Sequence, residues 1–129
     1  MAAHSAIGYQ LPSGHIKAVY CHDDASLPIL CRYYNTISKV KNLIKPGGMS
    51  SLRTRGTWER YAENARDPQP LYYHERGDQQ GGPEISKSIE DSIKFWGDIF
   101  CCAHLYVFVP KAMRGDQPDV GWHHYKIDL

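Results

Sequence analysis

Apolar and polar residues alternate at both ends of the chain, while helical spacing occupies parts of its middle. Ser5 to Leu11 alternates, with Ile7, Tyr9 and Leu11 on one face. Pro12-Ser13-Gly14 supplies turn chemistry, glycine accepting positive φ without strain. His15 to His22 alternates again, with Ile16, Ala18 and Tyr20 on one side and Val19 and Cys21 on the other. These two runs predict a hairpin, and apolar members on both faces of its second strand predict a central place in a sheet.

Asp23-Asp24-Ala25-Ser26 breaks that strand, and Leu27 to Tyr34 predicts a short helix with Pro28 in its first turn. Asn35 or Thr36 suits the N-cap of a second helix, whose positions Ile37, Val40 and Ile44 share a face and which Pro46-Gly47-Gly48 ends. Ser88 caps a third helix, with Asp91 three residues on. Ile85, Ile89, Ile93, Trp96 and Phe100 lie along its apolar side. His104 to Val109 and Trp122 to Leu129 predict a closing pair of strands. The stretch over 49–83 reads as a flexible central loop with one strand, Leu71 to Glu75, inside it. The fold class is therefore α+β. The expectation is one domain over 1–129, with an antiparallel sheet from N- and C-terminal hairpins and about three helices packed on one face.

The chain has 129 residues and a net charge of +1 with histidines neutral, which argues against nucleic-acid binding through overall charge. No apolar run is long enough to cross a membrane and no leader pattern opens the chain, so the expected location is the cytoplasm. Cys21, Cys31, Cys101 and Cys102 show no metal-ligand spacing and are expected as free thiols.

Chemistry is concentrated in few places. Arg53, Arg55, Trp58, Arg60 and Tyr61 interleave guanidinium groups with aromatic rings, the types that dominate protein interfaces and that stack on bases. Just before them, Gly47 to Arg55 includes Ser50 and Ser51 and has the ingredients of an anion loop, though not the spacing of a nucleotide-binding P-loop. Cys21-His22-Asp23-Asp24 puts metal-competent groups at a strand end, but neighbours on a strand point to opposite faces. His22 and Asp24 would need His74, or one of His104, His123 and His124, to complete a metal site. No catalytic motif is recognisable, and no cofactor is expected.

Ser5-Ala6-Ile7-Gly8, Val19-Tyr20-Cys21-His22, Tyr34-Asn35-Thr36 and Gly48-Met49-Ser50-Ser51-Leu52 resemble segments of a widespread group of small phage and prophage proteins. So do Tyr73-His74-Glu75-Arg76-Gly77-Asp78, Ser88-Ile89-Glu90-Asp91, Leu105-Tyr106-Val107-Phe108 and Trp122 to Ile127, in order along nearly the whole chain. That group carries a Tyr-Cys-His-Trp-Asp-Gly segment and an aspartate in the Ser-Ser-Leu turn. This chain has Asp23 and Ala25 around Asp24, and Met49 in the turn. The resemblance implies a phage accessory protein. The expected function is binding a host protein to inhibit or redirect it, a defence component such as a CRISPR effector being one candidate. The other readings are a nucleotide or signal-molecule binder or weak phosphoesterase, and a nucleic-acid-binding module.

Overall fold

The computed structural model describes residues 4–23, 25–52, 70–73, 82–110 and 121–128. β1 (Ser5–Gln10) and β2 (Ile16–Asp23) form the expected hairpin. Its turn is closed by Gly14 N–H donating to the Leu11 carbonyl at 2.8 Å, with Gly14 at φ 94°. Helix α1 (Leu27–Tyr33) follows with Pro28 in its first turn, then α2 (Ile37–Ile44). Thr36 Oγ1 accepts from the Lys39 N–H at 3.2 Å, which satisfies one of the amides that a helix start leaves without a partner.

β3 (Met49–Ser51), β4 (Leu71–Tyr72) and β5 (Glu84–Ser86) come next, all short. Helix α3 (Ile89–Phe100) is capped by Ser88, whose hydroxyl accepts from Asp91 N–H at 3.1 Å. It ends at Cys101 in the left-handed conformation, φ 55°. β6 (His104–Val109) and β7 (Gly121–Lys126) complete the chain order.

All seven strands join one sheet in the order β4-β3-β2-β1-β6-β7, with β5 pairing β2 off this path. The outer edge of β2 is shared. Its start, Ile16 to Ala18, pairs antiparallel with β5, and its end, Cys21 and Asp23, pairs parallel with β3. β1 lies between β2 and β6, parallel to the latter.

Strand alternation divides the apolar residues between two faces. Ile7, Tyr9, Val19, Cys21, Tyr106 and Phe108 meet Leu30 of α1 and Val40, Leu43 and Ile44 of α2. Ala6, Ile16, Ala18, Leu105 and Val107 meet Trp96 of α3. The α+β class and the two terminal hairpins match expectation, and most ladders are antiparallel. In detail, two ladders are parallel, and the helices occupy both faces where the sequence suggested one. The reason is that β1, β2 and β6 are apolar on both sides, so a single helical layer would leave one set of side chains in water.

Two stretches read differently from their sequence pattern. Met49 to Leu52, expected as loop, is pinned into the sheet with Met49 and Leu52 wholly buried. Ile85, expected on the apolar side of α3, belongs to β5 and stays 58% exposed. Among the described residues, no helix is long and apolar enough to cross a membrane.

Candidate functional site

Tyr20 and His22 are two apart on β2 and so share a face, the one covered by α3. The β1–β2 register pairs Ser5 with Cys21, and one step further along it His4 stands opposite His22. The three side chains converge. The Tyr20 hydroxyl is hydrogen-bonded to Nδ1 of His4 and to Nδ1 of His22, each at 2.8 Å. The two imidazole centroids are 4.2 Å apart. Phe100 at 5.4 Å and Tyr73 at 6.4 Å flank the phenol ring.

Burial holds the Tyr20 phenol well above the ordinary tyrosine value, with smaller contributions from Tyr73, Cys102, Cys21 and Asp23. It therefore keeps its proton at any physiological pH. The neighbouring Cys102 thiol is pushed up to about 12 by burial and then by Cys101, so it is a protonated, inert packing group. Cys21 lies on the opposite face from His22, buried, its thiol donating to the Asp23 carbonyl at 3.2 Å. The adjacent Cys21 and His22 therefore do not form a dyad.

A second imidazole pair occupies the opposite face at the same end of the sheet. His104 Nδ1 and His124 Nε2 are 2.8 Å apart across the β6–β7 ladder, and the Tyr106 ring stacks on His124 with centroids 4.8 Å apart. Burial lowers the pKa of His104, and the charges of His124 and Lys126 add to the effect. His123 and His124 point to opposite sides of β7, as alternation requires, and only His124 joins the pair.

The structure thus brings His22 together with His4, a residue the sequence reading passed over, and His104 together with His124. The signal for His4 was in the sequence. Extending the β1 alternation back by one position puts His4, Ala6 and Gly8 on the face that carries Tyr20 and His22 on the neighbouring strand. Among the described residues no three His, Cys, Asp or Glu side chains are placed to hold a metal ion. Asp24 and His74, named with His22 as metal candidates, lie outside the described residues.

Ser50 and Ser51 are in β3, and Ser51 is buried at 6% exposure. Arg53, Arg55, Trp58, Arg60 and Tyr61 lie outside the described residues, but the structure fixes what brackets them. Leu52 N–H donates to the Asp23 carbonyl at 3.1 Å on one side, and β4 pairs back onto β3 through Ser51 and Leu71 on the other. Buried Tyr72 donates its hydroxyl to the Leu43 carbonyl, and Tyr73 N–H donates to the Gly48 carbonyl at 3.2 Å. The described residues that flank the Arg/aromatic stretch are therefore anchored in adjoining strands.

No family model matches the chain, and no curated protein and no solved structure matches it at a significant level.

Proposed function

We propose that the chain is a phage-type accessory protein that works in the host cytoplasm by binding a host protein and inhibiting or redirecting it. The observation that carries this reading is the bracket around Arg53 to Tyr61. The described residues on either side of it, Ser51 before Arg53 and Leu71 beyond Tyr61, pair with each other in one sheet. Scaffolds commonly present binding residues in this way, because anchored ends reduce the ordering cost that a loop contributes on association. The stretch contains three arginines, a tryptophan and a tyrosine, which are the residue types that carry most of the energy at protein interfaces.

The resemblance to small phage proteins supports the same reading, since such proteins often act by occupying a surface. The test compares the wild type with an Arg53→Ala/Trp58→Ala/Arg60→Ala variant as baits in lysate of a bacterial host. One host protein should be retained in stoichiometric amount by the wild type and lost by the variant. Hot-spot residues are worth about 2 kcal/mol or more each, so the loss should exceed roughly tenfold. Equal retention by both baits, or none by either, would overturn the proposal. The variant's melting temperature should equal that of the wild type, which separates lost contact from lost fold.

A further inference from the structure

We propose that His4, Tyr20 and His22 form a binding site for inorganic phosphate, in which the phenol sorts the two imidazoles into one hydrogen-bond donor and one acceptor. The argument is a count of protons. The Tyr20 oxygen carries one hydrogen and faces two ring nitrogens, each 2.8 Å away. It can donate to only one of them. The other ring must therefore donate its own Nδ1–H to the phenol oxygen.

Each choice at Nδ1 decides what happens at Nε2. A neutral ring that accepts at Nδ1 carries its proton on Nε2, and a neutral ring that donates from Nδ1 has a bare Nε2. One N–H and one lone pair are thus held side by side on rings whose centroids are 4.2 Å apart. Both Nε2 atoms are turned away from the phenol, and among the described residues neither has a hydrogen-bond partner. The rings are half-buried, so a bound group would be partly shielded from water.

Inorganic phosphate complements this pair. It keeps one proton well above neutral pH, so it presents P–O⁻ and P–OH together, whereas a phosphate ester gives up its last proton at about pH 6. The P–O⁻ oxygen accepts from the Nε2–H, and the P–OH donates to the bare Nε2. Sulfate has the same shape but no proton to give, and its oxygen would face the lone pair. The Asp23 carboxylate near Tyr20 adds a further cost for a fully ionised guest. The site therefore selects for phosphate over sulfate. It is independent of the partner-binding stretch at Arg53 to Tyr61, and either can fail without the other.

The experiment uses the whole chain at pH 7.5. Long-range proton–nitrogen NMR reads the tautomer of each histidine. His4 and His22 should be in opposite tautomers, and Tyr20→Phe, which keeps the ring but removes the hydroxyl, should abolish the difference. Inorganic phosphate should then shift the His4 and His22 ring signals saturably, with sulfate at least about tenfold weaker. His4→Gln and His22→Gln should each remove the phosphate response, and Tyr20→Phe should remove the preference over sulfate. Phenyl phosphate, an ester that gives up its last proton at about pH 6 and so has no P–OH at pH 7.5, should bind no better than sulfate. Identical tautomers in the wild type, no saturable response to inorganic phosphate, or sulfate or phenyl phosphate bound as tightly as inorganic phosphate would each overturn it.

Discussion

Replacing Tyr72 with phenylalanine isolates one hydrogen bond that ties β4 to helix α2. The last four carbonyls of a helix have no partner within it and must find donors elsewhere. In α2, Lys45 N–H serves the Lys41 carbonyl and Gly47 N–H serves that of Ile44, each at 3.0 Å. The carbonyl of Leu43 is served by the Tyr72 hydroxyl, from a strand far along the chain. Tyr72 is 8% exposed, so water cannot easily take the place of the missing donor. Phenylalanine keeps the ring and its packing, so no cavity term enters. The loss is that of a buried acceptor, about 1–3 kcal/mol. For a chain of this size each kcal/mol shifts the melting temperature by roughly 3–5 °C, which sets an expected fall of about 3–15 °C. Urea denaturation followed by circular dichroism should show a lower midpoint with an unchanged slope. Tyr72→Ala should cost about 3–5 kcal/mol, because it also empties the ring's place in the core. A Tyr72→Phe protein melting within about 1 °C of the wild type would refute the idea that this bond anchors β4 to α2.

Gly8→Ala should be among the most damaging small substitutions in the chain. A Cβ there would collide with the Lys17 carbonyl oxygen and stand 2.6 Å from the Ala18 Cβ, so β1 and β2 would have to part. The expected cost is about 3 kcal/mol or more, read as loss of a cooperative melt, and a native-like melt would contradict it. For His104, the folded pKa lies below the unfolded value of about 6.5, so the unfolded chain binds the proton more readily. The neutral side chain's contribution is intact above that value and is lost as pH falls from it toward the folded pKa. His104→Gln should therefore lose less melting temperature than the wild type between pH 7.5 and 5.5, and equal losses would count against the reading.

What the sequence made legible was whatever is decided locally. Thr36 and Ser88 announced their helices because a cap is a contact between residues three apart, and Ile89, Ile93 and Trp96 showed the face of α3 by their spacing alone. The β1–β2 hairpin was legible for the same reason. β3 and β5 were not, because Met49-Ser50-Ser51 and Glu84-Ile85-Ser86 have weak strand patterns and are extended through ladders with distant strands, β3 with β2 and β4 and β5 with β2. The histidine pairs were hidden in a similar way. Reading along the chain sets His22 beside Cys21 and His124 beside His123, whereas the pleat separates those neighbours. Antiparallel register then sets His4 opposite His22, and sets His124 opposite Tyr106 and within diagonal reach of His104.

The placement of β1 also bears on the order in which the molecule can be assembled. Ser5 lies beside His104 in a parallel ladder, so strands from opposite ends of the described chain are immediate neighbours in the middle of the sheet. A ribosome would release β1 and its hairpin partner long before β6 exists, leaving one margin of β1 open and apolar on both faces. Closing so wide a sequence gap is slow, and an open margin of that kind invites pairing with another nascent chain. Yield in a heterologous host should consequently depend on synthesis rate and temperature more than on the final stability of the native state.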